Sequence, residues 1–401
     1  MIDFPYLGDI VTASPSKIIM LVVDGLGGLA NPETGKSELE TARLPHLDHL
    51  AKQSSCGLTV PVGAGISPGS GPGHLALFGY DPVKSLIGRG ALEALGVDIE
   101  LGDRDIAARG NFCSIDADGN LTDRRAGRIP TELAAPLVEL LDGIEIPGAE
   151  TSVYAVKDYR FVLRIRGDEL EDGVNDTDPE RLGVPPLLPT GQNKSSNRTA
   201  KIVSEFIDRA RFLLRDRSSA NMVLLRGFSK MPALPQMGDA YLLTPAAIAA
   251  YPMYRGLART LGMEVIDAGT DFSSEVEALH RHYNNHDFFY LHYKPADAAG
   301  EDGDFEGKVA ALEALDTFIP SILGLNPDVF IVAGDHATPA VLASHSWHPV
   351  PFLLRSQWTA GEGVPTFNEK VCTSGSLGTI PANQLMLLAM AHAGKLRKFG
   401  P

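Results

Sequence analysis

The sequence predicts an α/β protein: a parallel sheet with helices on both faces, plus an inserted α+β domain. Three observations point there. Short apolar runs without alternation end in polar residues, as strands covered on both faces do. Helical periodicity lies between those runs. A middle region instead alternates apolar and polar residues, the signature of half-exposed antiparallel strands.

Taken in order, K-I-I-M-L-V-V runs into Asp24-Gly25-Leu26-Gly27. D-F-F-Y-L-H-Y runs into Lys294 and, after Pro295-Ala296, Asp297, and D-V-F-I-V-A-G runs into Asp335-His336. Between the last two, Gly307 to Leu323 repeats apolar residues at three- and four-residue steps and reads as a helix. In an open α/β sheet, ligands sit at the carboxyl ends of strands, and all three polar clusters fall at such ends. In the middle, N-F-C-S-I-D-A-D-G-N-L-T-D-R-R carries a hairpin signal. T-S-V-Y-A-V-K-D-Y-R-F-V-L-R-I-R-G reads as two strands about a Lys157-Asp158 turn, and the Pro-rich stretch after it as loop or lid. The expected organisation is a discontinuous core of residues 1–82 and 274–401, with an insert over residues 83–273.

Composition narrows the function. With 401 residues, two or three domains are expected. A hydrophobic fraction of 44% with 21% charged residues suits a soluble chain with a real core. The 50 acidic and 35 basic residues leave a net charge of −15, which argues against a nucleic-acid binder. An anionic substrate stays open, because a local arginine cluster or a metal reverses the sign inside one cleft. The three cysteines, Cys56, Cys113 and Cys372, are too few and scattered for a disulfide framework. The first residues lack the pattern of a signal peptide, and no apolar run approaches the ~18 residues of a membrane span. A cytoplasmic protein without membrane partners is the expectation.

Asp24, Asp297, Asp335, His336 and His345 are oxygen and imidazole donors of the kind that bind Mg²⁺, Mn²⁺ or Zn²⁺. Singly, each has a structural explanation: Asp24 as a helix cap, His336 as a hydrogen-bonded core histidine. Those explanations weaken jointly at several strand ends of one sheet, where crowded carboxylates repel unless neutralised. Ser70, among Gly69, Gly71 and Gly73, precedes an apolar helical stretch beginning at His74. A serine at a helix N-terminus meets free N–H groups and the positive dipole end, which suits phosphate oxygens. Alone it reads as a cap in a Gly/Pro turn.

V-V-D-G-L-G, P-G-S-x-x-x-H-L-A-L-F-G-Y-D-P, the segment R-G-N-F-C-S-I-D-A-D-G-N-L-T-D-R-R-A-G-R-I, K-P-A-D-A-A-G-E-D-G-D-F-E-G-K, A-G-D-H-A-T-P and H-S-W-H-P-V-P occur in that order. Together they resemble the cofactor-independent (2,3-bisphosphoglycerate-independent) phosphoglycerate mutases, archaeal-type branch of the alkaline phosphatase superfamily. The resemblance spans nearly the whole chain. It implies an isomerase acting on a small phosphorylated hydroxy acid, 3- or 2-phosphoglycerate, with two divalent metals and no organic cofactor. By the same resemblance Ser70 is the nucleophile that becomes phosphoserine and touches metal. Asp24, Asp335 and His336 then belong to its metal, and Asp297 and His345 to the second.

Where the family's second-metal motif reads D-x-x-x-H, this chain has Asp297 followed by Glu301. A carboxylate there favours Mg²⁺ or Mn²⁺ over Zn²⁺. His348, where relatives carry Asp or Asn, offers another imidazole, and Gly71 stands where an acidic residue is usual. Candidate substrate contacts are Arg124, Arg125 and Arg128 in D-R-R-A-G-R, Arg164 and Arg166 on one strand face, Arg226, His74 and Lys294. Another phosphotransferase of the superfamily, homoserine-kinase-like, a phosphatase, and a non-catalytic relative are the competing readings.

Overall fold

The computed structural model describes residues 1–99, 101–231 and 233–401. In chain order its strands are β1 (Ile18–Val23), β2 (Ser55–Val60), β3 (Asp105–Ile115), β4 (Leu121–Asp123), β5 (Glu150–Ala155), β6 (Arg160–Arg166), β7 (Met222–Ser229), β8 (Pro245–Ile248), β9 (Glu264–Ile266), β10 (Phe288–Tyr293), β11 (Val329–Ala333), β12 (Val350–Ser356) and β13 (Gly378–Pro381). The chain divides into two compact units, Met1–Leu86 with Leu234–Pro401, and Ile87–Ala233.

The discontinuous unit carries an eight-stranded sheet in the order β13-β2-β12-β11-β1-β10-β8-β9. Its centre is parallel, with β1 between β11 and β10 and Val23 level with Tyr293. Every residue of β1, β10 and β11 is buried. That is why these runs are apolar at every position rather than at alternate ones. One strand departs from the parallel expectation: β12 runs antiparallel to both β11 and β2.

The second boundary, expected near residue 273, lies between Ala233 and Leu234. The reason is β8 and β9, which pair parallel with β10 and with each other and so extend the core sheet. Their runs of four and three residues are too short to announce a strand by pattern. The helix expected over Gly307–Leu323 forms as two, Phe305–Asp316 and Ile319–Leu323, with Pro320 in the first turn of the second. Proline has no N–H to donate and is tolerated only there, so the first helix ends before it.

The other unit is an antiparallel sheet in the order β4-β3-β6-β5, with β7 on the free side of β3. The β3–β4 hairpin turns at Asp116–Gly119, and β5 and β6 turn at Asp158, which adopts φ +54°. Its apolar core joins the sheet to helices Thr131–Asp142 and Ser196–Leu214. Arg160, Arg164 and Arg166 alternate with buried Phe161, Leu163 and Ile165 along β6.

Candidate metal centre

Because β11, β1 and β10 are adjacent and parallel, their carboxyl ends open on one edge of the sheet. Asp24 follows β1, Asp335 and His336 follow β11, and helix Pro295–Glu301 after β10 carries Asp297. All four side chains are fully buried. One donor atom from each of Asp24, Asp335 and His336 lies within 4.8 Å of the others, and the same holds for Asp297, His336 and His345.

The first group centres on His336 Nε2, which is 3.1 Å from Ser70 Oγ, 3.4 Å from Asp24 Oδ1 and 3.1 Å from Asp335 Oδ2. Ser70 is the first residue of helix Ser70–Leu77, behind Gly69 at the cap position. The helix thus starts one turn before His74, and the Ser70 hydroxyl faces His336 rather than capping its own helix. A Cβ on Gly73 would lie 2.2 Å from the Asp335 carbonyl oxygen, so only glycine lets this helix approach the β11 loop so closely.

Among the described residues, buried Asp24 Oδ1 and Asp335 Oδ2 accept no well-formed hydrogen bond: their nearest polar neighbours are imidazole nitrogens, His336 Nε2 beside both and His74 Nδ1 beside Asp335 Oδ2. Unpaired buried carboxylate oxygens are costly, and two of them beside an imidazole and a hydroxyl form a donor set that suits a divalent cation. The residues therefore fit a metal.

The second group centres on His345 Nε2, 3.6 Å from Asp297 Oδ1 and 3.3 Å from Glu301 Oε1. Asp297 and Glu301 stand four residues apart on one helix and so share a face. His345 Nδ1 is 3.0 Å from the Pro68 carbonyl, and the His345 ring stacks on His336 at 3.7 Å. His348 is turned elsewhere: its Nδ1 meets Ser346 Oγ at 3.1 Å and its ring stacks on Trp347.

Charge around Asp24 is heavily managed. Burial would raise its pKa, but a hydrogen bond with His292 and the charges of His292 and Lys294 hold it well below the usual carboxylate range. Burial and Asp24 push Asp335 upward, yet His336 and His74 outweigh them and lower it. His74, expected as a phosphate contact, is fully buried, with Nδ1 2.8 Å from the Ser70 carbonyl and 3.1 Å from Asp335 Oδ2. Lys294 bridges the two groups, with Nζ 3.1 Å from Asp24 Oδ2 and donating to Asp297 Oδ2.

Sequence reasoning missed Tyr254 and His292, whose closely packed, tilted rings both hydrogen-bond Asp24 Oδ2. The signal for His292 was a lone polar residue inside the apolar run of β10. Tyr254, on helix Pro252–Thr260, lies far off in sequence and gave none. Lys308 was missed too. Fully buried, it donates to the carbonyls of Gly27 and Thr338 at 2.9 and 2.8 Å, joining the β1 and β11 loops from beneath. Glu38 and Glu369 complete this clamp by accepting from the amides of Ala340 and Gly28.

The arginines all lie in the other unit. Arg124 makes a two-point pair with Asp178 at 2.8 Å, Arg166 does the same with Asp105, and Arg164 meets Glu150 and Ser152. Arg226 pairs with Asp176, Asp178 and Glu180 of the Pro-rich stretch. Arg125 and Arg128 are exposed on a turn where Ala126, Gly127 and Arg128 take φ of +46°, +67° and +55°. The Asp123 carboxylate holds that turn through the amides of Arg125 and Gly127. Consecutive left-handed residues are strained, and such strain clusters at ligand clamps.

A family model described as 2,3-bisphosphoglycerate-independent phosphoglycerate mutase matches residues 51–219. A Thermus thermophilus protein named "Probable 2,3-bisphosphoglycerate-independent phosphoglycerate mutase" is 47% identical, over 99% of each chain. Two solved structures share the fold. A Pyrococcus horikoshii protein has TM-score 0.82 and 27% identity, over 96% of this chain and 99% of its own. The cofactor-independent phosphoglycerate mutase of Thermoplasma acidophilum has TM-score 0.72 and 29% identity, over 94% and 100%. Whole-length identity of this order, on a sheet edge that gathers these donors, establishes that the chain belongs to the 2,3-bisphosphoglycerate-independent phosphoglycerate mutase family.

Proposed function

We propose that the chain interconverts 3-phosphoglycerate and 2-phosphoglycerate through a phosphoserine at Ser70, with two divalent cations, in cytoplasmic glycolysis and gluconeogenesis. The observation that carries this reading is the convergence of Ser70 Oγ, Asp24 and Asp335 on His336 Nε2. The family membership supports the same activity. Asp24, Ser70, Asp335 and His336 would hold one cation, and Asp297, Glu301 and His345 the other. Four carboxylates in the set favour Mn²⁺ or Mg²⁺ over Zn²⁺. When bound, such ions lower the pKa of a coordinated hydroxyl and offset charge on the transferring phosphoryl group.

The chain's own residues do the rest. Ser70 Oγ attacks phosphorus; the Oγ–P bond forms as the bond from phosphorus to the C3 oxygen breaks. The Ser70 proton and the one taken up by the departing oxygen balance. Attack by the C2 oxygen then reverses the exchange, freeing Ser70 and giving 2-phosphoglycerate. The first turn of helix Ser70–Leu77 presents backbone N–H groups to the phosphate. In the other unit, we assign exposed Arg125 and Arg128 on their strained turn to binding an anionic group, and Arg124 and Arg226 to holding the Pro-rich stretch.

The test is isomerisation of 3-phosphoglycerate by the full chain loaded with Mn²⁺ or Mg²⁺. Ser70→Ala should lower the rate by at least about 10⁴-fold. Wild-type protein quenched in acid should carry a phosphoserine on the peptide containing Ser70. Full activity in Ser70→Ala, or release of inorganic phosphate in place of 2-phosphoglycerate, overturns the reading.

A further inference from the structure

Thr338 stands two residues beyond His336 and is fully buried. Its hydroxyl oxygen lies 2.9 Å from His336 Nδ1 and 2.6 Å from Asp297 Oδ1. A threonine hydroxyl has one proton, and an ionised carboxylate can only accept. The proton therefore goes to Asp297, and the oxygen must accept from His336 Nδ1–H. That fixes the imidazole in the Nδ1–H tautomer and leaves the Nε2 lone pair facing Ser70, Asp24 and Asp335. One hydroxyl thus touches a donor of each group. His345 reaches the same state independently, by donating from Nδ1 to the Pro68 carbonyl.

The surroundings hold this hydroxyl in place. The Thr338 amide donates to the Gly27 carbonyl at 3.0 Å, and Lys308 Nζ donates to the Thr338 carbonyl. Gly25, at φ +66°, leaves the space open: a Cβ there would lie 2.7 Å from Thr338 Oγ1 and 2.8 Å from Asp297 Oδ1.

We propose that Thr338 is a positioning residue that couples the two cation groups, setting the His336 tautomer for one and orienting Asp297 for the other. The inference rests on the two-cation reading above. Partners one step removed from the metal typically govern affinity by 10–100-fold, and here one partner serves both ions.

The experiment titrates chelator-stripped, full-length protein with Mn²⁺, following heat and the EPR signal of free Mn²⁺. Wild type should bind two ions. Thr338→Val, close in shape but without the hydroxyl, should weaken both by about 10–100-fold. Thr338→Ser should stay within a few-fold of wild type. Thr338→Ala, which introduces no bulk, gives the same readout should the valine variant not fold. Two ions bound at wild-type affinity by Thr338→Val overturn the coupling and leave the two-cation reading standing. Loss at only one site, or failure of serine to rescue, overturns it as well. Fewer than two ions on wild type overturns both.

Discussion

Replacing Lys308 with methionine keeps most of the side chain's length and removes its charge at a site with no solvent exposure. Two hydrogen bonds from a charged donor disappear, to the carbonyls of Gly27 and Thr338. Each is worth about 1.5–3 kcal/mol. Glu38 Oε1, 4.0 Å from the ammonium, loses the buried cation that offsets it, and breaking such a pair from one side costs about 3–5 kcal/mol. These terms overlap, because the same ammonium serves all three oxygens, so about 4 kcal/mol is the expected loss. Burial already pulls the Lys308 pKa down against the raising effect of Glu38 and Glu369, a sign that the site is expensive to charge. For a unit of this size, ~2–4 °C per kcal/mol places the fall in melting temperature near 10 °C. Trp347 and Trp358 both belong to the discontinuous unit, so tryptophan fluorescence in a urea or thermal melt reports on it alone. Adding Glu38→Gln should recover at least about 1 kcal/mol. A loss below about 1 kcal/mol in Lys308→Met, or no recovery in the double variant, would refute the reasoning.

Two further outcomes follow from the same structure. Glu275 is buried with its Oε1 accepting from the Ala250 amide, and burial pushes its pKa up from 4.5 to about 8. The folded chain therefore holds that proton more tightly than the unfolded one. The associated stability is full below pH 4.5, declines between 4.5 and 8, and is gone above, a total of roughly 3–5 kcal/mol. Glu275→Gln should flatten this slope, matching wild type near pH 5 and exceeding it near pH 9 in urea melts; parallel slopes would sink the assignment. Glu301→His should move metal preference toward Zn²⁺, with Mg²⁺ affinity falling by about 10-fold, because imidazole suits the softer ion. Unchanged relative Zn²⁺ and Mg²⁺ affinities in direct titrations would count against Glu301 as a ligand.

Much of the candidate site was legible because it is written locally. A buried parallel strand must be apolar throughout, so a polar residue at its end stands out, and Asp24, Asp335 and His336 do. The β3–β4 and β5–β6 hairpins were legible for a similar reason, since turn chemistry and alternation are short-range. The β8 and β9 strands were not, because three or four residues carry no period. Nor was the antiparallel direction of β12, which depends on how the chain returns to the sheet.

The net charge of −15 raised the question of what offsets the acidic strand ends, and metals together with arginines were the expected answer. The fold adds its own cations: Lys294 between Asp24 and Asp297, and Lys308 between the two loops. The sequence by itself determined the fold class and the strand-end donors, since each follows from burial on both sides of a short segment; Ser70, which alone reads as a helix cap, stood out only through the family resemblance. Only the tertiary structure decided that Glu301 rather than His348 faces His345, that His74 supports Asp335, and that one threonine hydroxyl joins two donor groups. Those facts depend on distances between segments up to hundreds of residues apart, which the order of β11, β1 and β10 brings within hydrogen-bonding range.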